Sequence, residues 1–367
     1  MSPVTKRNIS RIIPFGIIWF LFSIVYSLLE RGIIGNLDHY PATGNPYNFN
    51  SNILITPISA LLTGLLIGTA EIMYFNKLFL LKSFTGKIIY KTLIYFGIIT
   101  LFVLSLTVLS NSFQLHASVF SKQVWNNVWI FFFNYSFWGV EIFIASIILV
   151  SLFYMEVSEN LGVAVLNNFF TGKYHSPKEE ERVFMFLDMK SSTTIAESLG
   201  HVKYFEMLNK YYADLSGPII KYSGEIYQYV GDEVIVSWKL KSGIQNNTCI
   251  RCFFAMKESL RKQTSSYNEK FGLTPEFKAG FHYGKVTAGE IGVIKKDITF
   301  TGDVLNTTSR IQGLCNTHKV DILVSGQLIE KMNLQTEFQI TDLGKAELRG
   351  RDEKIKLYTI HLFENKY

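Results

Sequence analysis

The chain has only three cysteines in 367 residues, Cys249, Cys252 and Cys315, too few for a disulfide framework. Cys249 and Cys252 stand at the CxxC spacing of redox motifs, in CIRC. They fall inside an amphipathic helical pattern over 248–262, without the strand that a thioredoxin-like site needs before it. All three are therefore expected as reduced structural thiols. A basic-aromatic platform is also missing, so nucleic acid is not an expected partner. No internal repeat or low-complexity tract stands out. No small-residue cleavage site follows the first apolar run, which ends at Glu30-Arg31, so a cleavable signal peptide is not expected. Polarity is scarce as well. Charged residues make up 18% of the chain, hydrophobic residues 48% and aromatics 15%, with a mean hydropathy of +0.18. That is apolar for a wholly soluble protein.

The apolarity is concentrated in the first 155 residues. Four runs there, 12–29, 53–75, 88–109 and 128–155, are long enough to cross a bilayer, which takes about 20 residues. Basic residues set the expected orientation. Lys6, Arg7 and Arg11 precede the first run, and Lys77, Lys82 and Lys87 lie between the second and third. The other two loops carry only Arg31 and Lys122. Both termini are expected in the cytoplasm of a multi-pass plasma (inner) membrane protein, with most of the net charge of +6 on that side. Trp125, Trp129, Tyr74 and Tyr154 are placed as interfacial aromatics. The expected domains are 1–155 in the membrane, 156–181 as a helical connector broken by Gly172 and Pro177, and 182–367 as a cytoplasmic domain.

In that last part strand-like and helix-like runs alternate. VFMFLDM reads as a buried strand, 204–222 as a helix, and EIYQYV and VIVSW as a hairpin turning at Gly231-Asp232-Glu233. Residues 249–271 read as a helix, FKAGFHYG and KVTAGEIG as a strand pair pivoting at Gly284, and 304–314 as a helix. Late strands are expected at 321–324 and 356–360. The order β-α-β-β-α-β with additions predicts a ferredoxin-like α+β sandwich. The predicted whole is a four-span α-helical membrane region joined to that α+β domain.

Three short stretches carry chemistry. FLDMKSSTTIAE ends an apolar strand on Asp188 and passes at once to Ser191, Ser192, Thr193 and Thr194. One reading is a helix N-cap; the other is a cation held by the carboxylate and an anion cradled by the turn's amides. Asp232 sits at the hairpin tip. In a ferredoxin-like sheet this brings it near Asp188, and two close carboxylates repel unless cations lie between them. In TFTGDVLNTTSR, Asn306 and Arg310 are four apart and share one helix face.

In that order and spacing, Asp188 with its hydroxyl-rich turn, Gly231-Asp232 and Gly302-Asp303-Val304 with Asn306-x-x-x-Arg310 resemble the catalytic domain of class III adenylate/guanylate cyclases, of the membrane-bound bacterial type. The resemblance covers about 182–363. It implies that Asp188, Asp232 and the backbone of Met189 hold two Mg²⁺ or Mn²⁺ ions per site, and that the Met189–Thr193 backbone, with Ser191, Ser192 and Thr193, meets the polyphosphate. Asn306 would orient the ribose and Arg310 would stabilise the transition state. Arg351, in LRGR, stands where the family places a basic residue on the terminal phosphates. The family's site is shared across a head-to-tail homodimer, so a monomer is expected to be inactive. The implied reaction is that of a phosphorus–oxygen lyase, ATP to 3′,5′-cyclic AMP and pyrophosphate.

Two positions read the base in this family, here Gln228 and Thr299. Adenine-specific members usually have Lys with Asp or Thr, and guanine-specific members Glu with Cys. Thr299 fits adenine. Gln228 fits neither, since its amide can donate or accept. ATP is the expected substrate with some GTP turnover; a guanylate or dual-specificity cyclase remains the alternative. A catalytically weak nucleotide-sensing membrane receptor is another. A diguanylate cyclase, hinted at by YVGDEV, has Val230 where that family's motif has its first glycine. Glu71 and Glu141, within or near spans, raise a transporter or channel reading.

Overall fold

The computed structural model describes residues 1–40, 46–79, 82–334, 337–349 and 353–363. The chain divides into two compact units, Thr5–Asn167, and Asn168–Tyr367 together with Met1–Val4.

The first unit is helical. Helices α1 (Pro3–Ile34), α2 (Phe49–Ala70), α3 (Phe84–Gln114), α4 (Lys122–Phe132) and α5 (Tyr135–Leu161) follow one another, with a π-helical turn, Glu71–Phe75, extending α2. Among the described residues four helices are long and apolar enough to cross a membrane: α1, α2 with its π turn, α3 and α5. Their outer faces are aliphatic, as at Leu54, Leu66, Leu101 and Ile142. Each buried acid flagged in the sequence has a partner. Lys91 Nζ lies 2.5 Å from Glu71 Oε1 and 3.1 Å from Glu156 Oε1, and the Tyr95 hydroxyl donates to Glu71 at 2.9 Å. Glu141 accepts from the Thr100 hydroxyl at 2.9 Å. Lys91 compensates the buried charge of Glu71, whereas Glu141 Oε1 has no hydrogen-bond partner among the described residues. The fourth run does not form one helix from 128. Val128 belongs to α4, and α5 starts afresh at Tyr135, where the Asn134 side chain accepts from the Ser136 N–H at 2.8 Å. The connector's helix α6 (Val163–Phe170) is separate from α5, which stops at Gly162 (φ 90°).

The second unit is a mixed sheet covered by helices. In chain order come β1 (Lys178–Met189), α7 (Ser192–Leu199), α8 (His201–Lys221), β2 (Glu225–Val230) and β3 (Glu233–Lys239). Then follow α9 (Thr248–Lys262), α10 (Thr264–Phe271), β4 (Phe277–Ile291), β5 (Asp297–Thr301), α11 (Asp303–Gly313), β6 (Ile322–Ser325), β7 (Phe338–Ala346) and β8 (Ile355–Leu362). The strand order is β2-β3-β1-β4-β6-β8-β7, with β5 paired to β4. The first four strands lie in the order of a split β-α-β-β-α-β unit, the ferredoxin-like core; β6, β8 and β7 extend it.

Strand β1 is buried on both faces because its residues alternate between two cores. Val183, Met185, Leu187 and Met189 pack with Met207, Tyr211 and Leu215 of α8 and Phe253 and Met256 of α9. Phe184 and Phe186 face the other way, with Ile235, Val286 and Val304. That second face also carries Asp188, since it falls at the same parity.

Strand β4 corrects the expectation of a pivot at Gly284. It is continuous, and Gly284 lies mid-strand opposite Arg182. A Cβ there would stand 3.2 Å from Val304, and one on Gly280 would stand 2.4 Å from the backbone nitrogen of Gln312. The two glycines let α11 lie close on the strand; they make no turn. The expected helix 249–271 is broken at Gln263 into α9 and α10. Strands β5 and β7 were not expected. The three cysteines are free and buried, and burial pushes the Cys249 and Cys315 thiols up to about 12.

Candidate active site

The site is built where β1 ends. Asp188 is its penultimate residue, in register with Lys278 on β4. The next turn is tied down by the Lys190 N–H, which donates to the Glu276 carbonyl at 2.8 Å. Ser191 then adopts the left-handed conformation (φ 55°), and α7 begins. The Ser191 side chain makes no capping hydrogen bond. The N-cap reading of the hydroxyl-rich turn is thus half right. A helix does start there, but the N–H groups of its first turn are not capped by the serine and remain donors for another acceptor. Met189 points into the core and is 2% exposed, so only its backbone is available to a ligand.

Asp232 reaches the same place from the hairpin β2–β3. Gly231 (φ 63°) makes the tight turn, and the Tyr212 hydroxyl of α8 donates to its carbonyl, pinning the tip. Asp232 Oδ2 is buried and has no hydrogen-bond donor among the described residues. Burial, and then the neighbouring Asp232 carboxylate, push the Asp188 carboxyl above its usual range, and Lys278 partly offsets this. Glu233 beside them is pushed up to about 7, by burial first and then by Asp188 and Asp232. The electrostatics are those of negative charge gathered without enough positive charge.

Two side chains that sequence reasoning missed complete the Asp188 environment. Lys278 Nζ lies 3.3 Å from Asp188 Oδ2, and Gln312 Nε2 donates to the same oxygen at 3.2 Å. The β1–β4 register and the close approach of α11 put them there; neither is visible as a motif.

Among the described residues no group of three or more His, Cys, Asp and Glu gathers to hold a metal ion. The pair Asp188 and Asp232 nevertheless fits a hard divalent cation: oxygen donors, one buried oxygen lacking a donor, and room in the ligand set for backbone carbonyl, phosphate and water. A consequence can be measured by thermal melting. Mn²⁺ at about a hundredfold excess over its Kd should raise the unfolding midpoint of the catalytic unit by roughly 5–10 °C. Asp232→Asn should raise the metal-free midpoint, by relieving repulsion, and abolish the Mn²⁺ shift. An undiminished shift in that variant would remove Asp232 from the cation site.

Asn306 and Arg310 are not brought to the carboxylates of their own chain. Gln312, on the same helix α11, is turned toward Asp188, and Arg310 lies about 200° round the axis from it. Asn306 is exposed, Arg310 half-buried, and neither has a hydrogen bond or ion pair with a described residue. Gln228 is exposed on β2 and Thr299 half-buried on β5. Their sequence neighbours meet, since the Phe300 N–H donates to the Tyr227 hydroxyl at 3.2 Å and the two rings are 4.9 Å apart. Arg351 lies outside the described residues.

Comparison with known proteins follows the same lines. A family model described as the adenylate and guanylate cyclase catalytic domain matches residues 175–362. The chain is 35% identical over 209 residues to adenylate cyclase 2 of Rhizobium meliloti (strain 1021), covering 57% of this chain and 58% of that protein. It is 28% identical over 186 residues to adenylate cyclase 1 of the same strain, covering 49% of this chain and 27% of the other. A solved structure of a bacterial light-regulated adenylyl cyclase superposes with a TM-score of 0.52 at 18% identity, over 64% of this chain and 67% of that one, a likeness of fold.

Proposed function

Since the chain belongs to the family of adenylate and guanylate cyclase catalytic domains through residues 175–362, we propose that it is a membrane-bound cyclase converting ATP to 3′,5′-cyclic AMP and pyrophosphate. The observation that carries this reading is the convergence of Asp188 and Asp232, with a buried donorless oxygen, beside the uncapped start of α7.

Held by Asp188, Asp232 and the Met189 carbonyl, two Mg²⁺ or Mn²⁺ ions would neutralise phosphate charge and lower the pKa of the ribose 3′-hydroxyl. The chain's own groups do the rest. The amides at Ser191, Ser192 and Thr193 and the Lys278 ammonium take the polyphosphate, anions being favoured at a helix start. The ribose 3′-hydroxyl gives its proton to solvent water, its oxygen bonds to the α-phosphorus, the bond from that phosphorus to the bridging oxygen breaks, and pyrophosphate leaves. Arg310 stabilises charge growing on the α-phosphate, and Asn306 holds the ribose. Both would come from a second copy, because α11 turns them away from its own chain's Asp188. The site is then complete only in a homodimer. Four helices of spanning length support a membrane anchor, and the basic loops support cytoplasmic termini.

The test is product formation by the purified full-length chain, given ATP or GTP with Mg²⁺ or Mn²⁺. Cyclic AMP should dominate, with some cyclic GMP, because the Gln228 amide can present either edge. Dominant cyclic GMP would reverse the base assignment. No cyclic product, with nucleotide bound, would make the domain a sensor.

A further inference from the structure

Arg182 has no part in the site above, yet its guanidinium makes three side-chain hydrogen bonds and one ring contact within the sheet. It sits on β1 six residues before Asp188, on the same face, and is 1% exposed. Its Nη1 donates to Ser237 Oγ at 2.6 Å, its Nη2 to Glu225 Oε2 at 2.6 Å and its Nε to Glu180 Oε2 at 2.9 Å. The guanidinium also lies over the Phe300 ring, 4.6 Å from its centroid.

Two of these partners, Glu225 and Phe300, lie on strands that matter for the base. Glu225 begins β2, which carries Gln228; Phe300 is in β5, next to Thr299. Tyr227 and Phe300 close the contact between the strands. One guanidinium therefore clamps both base-reading strands to β1. Stability alone does not call for an arginine here. A buried ion cluster is weak evidence of stabilisation, and an apolar side chain of similar volume often serves as well. A planar fork with stacking does supply fixed geometry, which a methionine cannot.

The clamp continues into the connector. Glu180 also accepts from the Tyr174 hydroxyl at 2.8 Å, and Tyr174 is 2% exposed. The Tyr174 carbonyl accepts the Glu290 N–H at 3.1 Å, where β4 pairs with β5.

We propose that Arg182 is a positioning residue for base selection, holding Gln228 and Thr299 at a set spacing, and that Tyr174 of the connector steadies it through Glu180. The proposal rests on the cyclase reading.

The experiment uses full-length protein in detergent, with KM and kcat for ATP and GTP measured separately. Arg182→Met should raise KM for ATP by about tenfold and lower the ATP-over-GTP ratio of kcat/KM by a similar factor, the scale of one lost charge-assisted or stacking contact. The value of kcat should move less than about threefold, because no reacting atom is touched. Tyr174→Phe should shift KM and the ratio in the same direction by less. Unchanged KM and ratio, or an equal loss of kcat on both nucleotides with a lowered melting temperature, would reduce Arg182 to a structural role. Should Arg182→Met fail to fold, Tyr174→Phe and Glu225→Gln carry the test, and an unchanged ratio in both overturns the proposal. If wild type forms no cyclic product, the cyclase reading has failed. The ratio of Kd values for fluorescent mant-ATP and mant-GTP then tests Arg182 without turnover: a ratio shifted by the variants upholds the clamp, and a constant one overturns it.

Discussion

Replacing Asp188 or Asp232 by alanine should abolish turnover and leave the catalytic unit folded. Each loss should be on the order of 10³-fold or more, the scale of removing one preorganised charge-stabilising group. Folding should survive because neither side chain packs a core. Asp188 lies at the end of β1 with its side chain 28% exposed, and Asp232 lies at a hairpin tip that Gly231 and Tyr212 hold without it. Taking away one of two facing carboxylates also removes repulsion, so melting temperatures should hold or rise. Circular dichroism and a melt on the same samples separate loss of chemistry from loss of fold. Wild-type rates in either variant would end the two-carboxylate site.

Much of this site could be read along the chain because its parts are local. A strand ending on Asp188, a Gly231-Asp232 turn and a helix beginning at Asp303 each announce themselves within a few residues. The ferredoxin-like core of the sheet followed from the alternation of strands and helices, while β5 and β7 did not. What stayed hidden depends on register between distant strands. Lys278 faces Asp188 only because β1 and β4 pair antiparallel at that offset. Gln312 arrives only because Gly280 lets α11 approach, and Gly284 looked like a turn when it was part of a seat for that helix. Arg182 stood at the edge of an acidic run in the connector and carried no motif; its four partners come from three other strands and its own. The fourth membrane run looked continuous because hydropathy does not register an Asn134 cap inside an aromatic stretch. Strand β5, only five residues long, offered too short an alternation to be placed.

The central claim is that each cyclase site takes its carboxylates from one chain and its Asn306 and Arg310 from another. It predicts rescue between two dead proteins. Asp188→Ala and Arg310→Ala should each be inactive as homodimers. Co-expressed in equal amounts, they should form mixed dimers in about half of all pairs, and each mixed dimer should hold one intact site and one doubly broken site. Cyclic nucleotide formation should then return to about a quarter of the wild-type rate. The measurement is the activity of mixed dimers isolated through two different affinity tags. Activity in that fraction, absent from either parent, is the result expected. Mixed dimers as inactive as their parents would contradict the claim, since a site contained within one chain cannot be repaired by its neighbour.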